Sequence, residues 1–123
     1  MIVRTPTPWG AQTLWAATDR YAAKILEIAA GHRTSLQHHV HKTETLLVLD
    51  GELVAEVGGR TLVLGPGERL HLPAGTRHRL GSRVGVRLVE VSTPELDDVV
   101  RHEDDYGRDV PPSPVGPALR LEG

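Results

Sequence analysis

Between Tyr21 and Ser92 the chain is cut into short apolar runs by turn-forming residues, and this spacing leaves little room for helix. Runs at 22–29, 46–49, 52–57, 60–64, 69–72, 77–80 and 84–92 alternate with turn signals. These signals are Asp50-Gly51, Gly58-Gly59, Gly65-Pro66-Gly67, Pro73-Ala74-Gly75 and Gly81-Ser82. Gly58-Gly59 between two alternating runs predicts a tight hairpin, because a two-residue primed turn needs positive φ. Short strands at this spacing specify an all-β antiparallel sandwich or small barrel. The Ala content of the 22–29 run leaves a helix open there. The chain has no Phe, two Trp and two Tyr, so Val, Leu and Ile must fill the core. Small branched side chains suit pleated faces.

A length of 123 residues fits one domain with one core. The expected organisation is a polar, Pro-punctuated arm over 1–20, a barrel over 21–108 and a Pro-rich tail over 109–123 that lies extended. Beyond the strand runs, a short acidic turn of helix is expected at 95–101, and the acidic run 95–105 reads as a solvated face. Net charge is −2 without a basic stretch, which argues against nucleic acid and anionic membrane surfaces. No apolar run is long enough for a signal peptide or a membrane span, so a cytoplasmic location is expected. The chain contains no Cys, which removes disulfides, thiolate metal sites and Cys nucleophiles. Any metal must be held by nitrogen and oxygen.

Five of the seven His fall in two segments. In Gln37-His38-His39-Val40-His41-Lys42-Thr43-Glu44, an extended strand points His39 and His41 to one face, with Gln37 on the same side and His38 on the other. After a bend, Glu44 can bring a carboxylate to that face. Two imidazoles and a carboxylate are a donor set for a divalent first-row metal. The competing reading is a surface strand with solvated imidazoles. In the second segment, Pro73-Ala74-Gly75 delivers His78 onto the next strand, where it can complete a four-ligand site of His39, His41, Glu44 and His78.

The spacing of these residues resembles the two motifs of the cupins. His39-x-His41, two residues, Glu44, six residues and Gly51 follow the first motif. Gly67, five residues, Pro73-Ala74-Gly75, two residues and His78 follow the second, with Ser82 in place of its closing Asn. The resemblance implies a double-stranded β-helix, or jelly-roll, with a divalent metal inside, bound by His39, His41, Glu44 and His78. Zinc is the first candidate, with iron, manganese and nickel as alternatives. Ser82 for Asn loses a turn-stabilising amide at a position that is not a ligand.

A longer match narrows the family. Trp9-Gly10, Tyr21, Lys24, Gly31, the 35–44 segment, Pro73-Ala74-Gly75-Thr76, His78-Arg79-Leu80 and Glu90-Val91 are similar to the type II mannose-6-phosphate isomerase cupin module. So is the closing run from Asp97-Asp98-Val99-Val100-Arg101 to Tyr106-Gly107-Arg108. That module forms the C-terminal part of bifunctional mannose-1-phosphate guanylyltransferases. It implies aldose–ketose isomerisation of a sugar phosphate, which needs a metal to polarise C1 and C2 oxygens, a base and a cation for the phosphate. Glu44 or Glu90 is the candidate base. Arg79, Lys24 and Lys42 are the candidate phosphate contacts, and Gln37 is a candidate cavity residue. Glu90 alternates with Val86 and Leu88, and the opposite register turns Arg87 inward instead. Arg79 directly follows a ligand, so a regular strand points it away. Lys24 can snorkel from a strand edge and Lys42 can be solvated. His71 reads as a structural His, while Trp9 and Tyr21 close the barrel mouth or cover the core. Thr7 stands where the module commonly has a basic residue, and Thr45 and Leu46 replace its His and Trp. No nucleotidyltransferase domain is expected within these 123 residues. A non-catalytic cupin binding a sugar or small acid, or a small metal-dependent dioxygenase, is the alternative. Pairing of exposed edges between small cupin barrels suggests a homodimer.

Overall fold

The computed structural model describes residues 2–108, so the expected Pro-rich tail at 109–123 lies outside the described residues. The strands, in chain order, are β1 (Val3–Thr7), β2 (Gly10–Ala17), β3 (Ala22–Ile28), β4 (His32–Arg33), β5 (Leu36–His38) and β6 (Glu44–Gly51). They continue with β7 (Leu53–Val57), β8 (Arg60–Leu64), β9 (Arg69–Leu72), β10 (His78–Ser82), β11 (Val86–Ser92) and β12 (Val100–Glu103). One sheet has the order β1-β2-β3-β11-β6-β9 and the other β12-β5-β10-β7-β8, with β4 also paired to β10. The strand pairs in both sheets are antiparallel. The fold is all-β, as the turn spacing predicts. Among the described residues no helix is long and apolar enough to cross a membrane.

The two sheets face each other over a core of Leu26, Ile28, Leu46, Val48, Leu53, Leu72, Leu80, Val86 and Leu88. Fully burying one such side chain contributes about 1.5–3 kcal/mol. Alternation places these residues inward and leaves Arg87 and Val91 on the outer face. The inward rows then change character along the strands. Val86 and Leu88 give way to Glu90 on β11, Ile28 and Leu26 to Lys24 on β3, Val48 and Leu46 to Glu44 on β6, and Leu80 to His78 on β10. Register ties these changes together, since Glu90 pairs with Lys24 and Leu46, and Ser92 with Glu44. One end of the barrel is therefore apolar and the other carries the charged side chains.

Gly58 and Gly59 both have positive φ, at 55° and 84°, and join β7 to β8 as the two-residue turn expected. Gly51 of the first motif has φ of 84°, and a Cβ there would lie 2.1 Å from the Gly85 carbonyl oxygen. That close approach is why the position excludes other residues.

Two expectations change, at 1–20 and at 95–101. The 1–20 segment is not an arm outside a barrel that starts at residue 21. Its β1 and β2 form a hairpin, Thr7 opposite Gly10, and β2 pairs with β3. The alternation there is carried by Thr, Ala and Gln, too weak a signal to read as strand, and Pro6 is tolerated because β1 is an edge. The 95–101 segment is not helical: a turn at 96–97 leads into β12 at Val100, and the Asp98 carboxylate between them accepts from amides of the distant 40–42 loop. Ser82 does hold its turn without the Asn amide: its hydroxyl donates to the Glu52 carbonyl at 2.6 Å and accepts from Gly85 N–H at 2.9 Å. The 22–29 run is strand β3, not helix.

Candidate metal centre

β5 stops at His38, the chain bends through 39–43, and β6 resumes at Glu44. The bend turns His39 inward above Glu44, and β10 opens with His78 on the same inner face. His39 Nε2 lies 3.4 Å from Glu44 Oε2, and His78 Nε2 lies 3.8 Å from Glu44 Oε1. One ligand atom from each residue lies within 4.8 Å of the others, and all three residues are buried.

The donor chemistry fits a divalent cation. His78 Nδ1–H donates to the Thr76 carbonyl at 3.0 Å, and His39 Nδ1–H donates to the Asp98 carbonyl. Each outer nitrogen is thus tied to a backbone acceptor, and each Nε2 keeps its lone pair towards Glu44, the arrangement that orients metal-binding imidazoles. His78 Nε2 and Glu44 Oε2 are buried without an aligned hydrogen-bond partner. Buried polar atoms are seldom left so, and a cation bridging them would satisfy both.

Around the cluster lies a buried charge network. Lys42 Nζ is 3.1 Å from Glu44 Oε2 and 3.0 Å from Glu90 Oε2. These are charge contacts without well-aligned hydrogen bonds at those oxygens. Burial raises the Glu44 pKa, but the facing His39 imidazole, the Lys42 ammonium and His78 outweigh it and hold the carboxyl at about 2. Burial and the neighbouring Glu44 push Glu90 upward against the pull of Lys42 and Lys24. Burial would lower Lys42, yet Glu90 and Glu44 raise it overall. Lys24 is lowered, chiefly by burial, then by Lys42. Burial, followed by the His39 and Lys42 charges, lowers His78. One geometry therefore favours an ionised Glu44 and a Glu90 shifted towards neutrality.

The expected site residues divide. A cavity of about 310 Å³ is lined by His39, Glu44, Glu90, Lys24, Lys42 and Gln37, together with Trp9, Gln12, Asp98, Arg101 and Arg108. Glu90 takes the inward register and Arg87 the outward one, where it pairs with Asp50 at 2.8 Å. His41 is not brought to the cluster. It is exposed, because the 39–42 segment is a bend rather than the straight strand that would align it with His39. Arg79 also lies elsewhere. Alternation turns it to the outer face of its sheet, where Nε donates to the Thr34 carbonyl at 3.0 Å and the guanidinium meets Glu103 and Asp105. It borders a separate open groove of about 420 Å³ there, together with Arg33, Val54 and Val63. His38 points away and stacks on His102. His71 is exposed and meets the Thr45 hydroxyl at 2.9 Å. Trp9 is buried and Tyr21 exposed. Asp98 was not singled out by the sequence reading, which treats its acidic run as solvated. Its carboxylate, held at about 2 by hydrogen bonds from the His41 and Val40 amides, is a fixed part of the site wall. The one sequence signal is an Asp pair in a Pro-led turn, a common side-chain-to-backbone acceptor.

Comparison with known proteins agrees with the geometry. Residues 3–104 match the family model described as mannose-6-phosphate isomerase C-terminal. The mannose-1-phosphate guanylyltransferase of Salmonella typhimurium is 36% identical over 106 residues, covering 82% of this chain and 22% of the relative. The xanthan biosynthesis protein of Xanthomonas campestris strain B100 is 33% identical, covering 82% of this chain and 23% of the relative. The chain thus spans less than a quarter of the length of these curated relatives. An RmlC-like cupin from Shewanella frigidimarina superposes with a TM-score of 0.72 at 18% identity, covering 78% of this chain and 86% of that one. KdgF from a Halomonas species gives 0.71 at 18%, covering 77% and 88%. At these identities the structural likeness establishes the fold, a cupin double-stranded β-helix.

Proposed function

The chain belongs to the mannose-6-phosphate isomerase C-terminal family, and on that premise we propose that it is a metal-dependent aldose–ketose isomerase of a sugar phosphate, with mannose 6-phosphate the first substrate to test. One observation carries the reading. His39 and Glu44 of the His39–Glu44–His78 cluster line one cavity with a buried carboxylate, Glu90, and with the cationic side chains Lys24, Arg101 and Arg108. A metal site, a base and cations for a phosphate are the three requirements of the reaction.

When bound, a divalent cation supplies Lewis-acid polarisation at the C1 and C2 oxygens. His39, Glu44 and His78 hold it, zinc first, with iron, manganese and nickel also accepted by such donors. Glu90 acts as the base: it takes the C2 proton, exchanges it with water and delivers a proton to C1, while the O2 proton passes to O1. Its raised pKa brings a carboxylate closer to working pH. Lys42, 3.0 Å away, steadies the ionised form. Lys24, Arg101 and Arg108 meet the phosphate, and Gln37 orients hydroxyls. Arg79 has no part in it. The charged wall argues against the dioxygenase alternative, which calls for an apolar pocket. The non-catalytic alternative draws support from Leu46, which stands beside Glu90 in the register where the module carries Trp.

The experiment is Glu90→Gln. Metal content and hexose-phosphate binding should stay near wild type while turnover falls about 10²–10⁴-fold. Turnover within a few-fold of wild type removes Glu90 from the chemistry. A metal-loaded wild-type protein that binds neither mannose 6-phosphate nor fructose 6-phosphate overturns the substrate. The reading includes a cytoplasmic homodimer; exposed Trp15, Leu47, Leu49 and Val91 support association, and a monomer by light scattering refutes it.

A further inference from the structure

We propose that Asp98 is a positioning residue for the candidate metal centre, clamping the 39–42 loop so that His39 is presented to Glu44 before any cation arrives. The inference rests on the metal-centre reading above and concerns how that centre is preorganised.

Asp98 lies in the turn between β11 and β12, far from the loop in sequence, yet it contacts four consecutive loop residues. Its Oδ1 accepts the Val40 amide at 2.9 Å, and its Oδ2 accepts the His41 amide at 2.6 Å and the Lys42 amide at 2.9 Å. Its carbonyl accepts His39 Nδ1–H. A carboxylate is the one side chain with enough acceptor sites, and no donors, to take three converging amides. Other backbone hydrogen bonds fall on the flanks of the loop: Gly75 N–H donates to the His39 carbonyl at 2.7 Å, and Thr43 N–H donates to the Thr93 hydroxyl at 3.0 Å.

Two consequences follow. The carbonyl sets the tautomer and tilt of the His39 ring, leaving Nε2 free for a metal. The carboxylate sets the bend that carries the His41 side chain outward and the Lys42 side chain inward to Glu44 and Glu90. One residue therefore determines which side chains of the first motif reach the cavity. Without the carboxylate, three amides turn to water and the loop no longer holds His39 in one place.

The test compares the full chain with its Asp98→Ala and Asp98→Asn variants. Zinc affinity is measured by competition with a chelator, and the visible spectrum of cobalt-loaded protein reports ligand geometry, which a loss of global stability alone leaves unchanged. Amide hydrogen exchange is followed in metal-free protein. Asp98→Ala should weaken zinc by about 10–100-fold, alter the cobalt spectrum and speed exchange at Val40, His41 and Lys42 while core amides of β11 stay slow. Asp98→Asn should fall between, since its amide oxygen accepts while its NH₂ faces donors. Zinc affinity within twofold of wild type in both variants, or unchanged exchange at the three amides, overturns the proposal. A wild-type protein that binds no zinc or cobalt refutes the metal-centre reading instead, and the exchange data still judge the clamp.

Discussion

Lys42→Met keeps the length and apolar stem of the side chain and removes one charge from the barrel. That ammonium lies 3.1 Å from Glu44 Oε2 and 3.0 Å from Glu90 Oε2, with every side-chain exposure in the trio at 6% or less. Two unit charges at this separation attract by roughly 5 kcal/mol at an effective dielectric near 20. Desolvation offsets much of that, so the intact network adds little net stability. Removing the cation alone is a different matter, because two carboxylates then stay buried together. Breaking a buried ion pair costs about 3–5 kcal/mol, and uptake of a proton by Glu90, already shifted upward, holds the loss near 3 kcal/mol. Against a total of about 5–15 kcal/mol for an ordinary domain, this is a large fraction. Urea unfolding with a chelator present should show that loss. Zinc returns a positive charge to the cluster, adding about 2.7 kcal/mol at a hundredfold excess over its Kd. It should help the variant more than the wild type, in which Lys42 repels the cation. Lys42→Met/Glu90→Gln should recover most of the stability, since both members of the pair are then neutral. A single variant within about 0.5 kcal/mol of wild type in chelator would show that the network carries no such coupling.

Two further outcomes follow. His78→Ala should abolish stoichiometric zinc binding, because it removes a buried ligand atom, whereas His41→Ala should leave zinc affinity within a few-fold; equal losses by calorimetry would show that the loop rearranges to bring His41 in. The Arg33 hydrogen bond holds the Asp105 carboxyl below its ordinary value, so its contribution is present above the unfolded-state pKa and disappears as pH falls through the lower folded value. Arg33→Met should therefore show a stability deficit that is constant from pH 7 to about pH 5 and vanishes on further acidification; a deficit that grows on acidification contradicts the assignment.

Local signals were enough for much of the barrel. Gly58-Gly59 and the alternation of Val86, Leu88 and Glu90 each have a local physical cause, so these turn and strand positions follow from neighbours in the chain. The parity argument also places Arg79 away from the cavity, as the structure does. Three kinds of feature were not legible. Strands β1 and β2 carry Thr, Ala and Pro where a strand usually shows branched apolar residues, and they are strands because β3 offers an edge. The bend at 39–42 comes from Asp98, a residue close in space and remote in sequence, so the loop read as a straight strand and His41 as a neighbour of His39. Sequence parity leaves Glu90 two registers, and its pairing with Lys24 and Leu46 fixes the inward one. Spacing identifies the metal-binding family; long-range contacts decide which ligands face inward.

Isomerisation of a sugar phosphate by the cluster and Glu90 together can be followed by proton NMR, with the chain incubated with mannose 6-phosphate in deuterated water, once stripped by a chelator and once reloaded with zinc. Fructose 6-phosphate, with deuterium entering at carbon 1, should form in the reloaded sample alone. A reloaded protein that holds stoichiometric zinc and binds the sugar, yet gives neither product nor exchange, would contradict the isomerase reading.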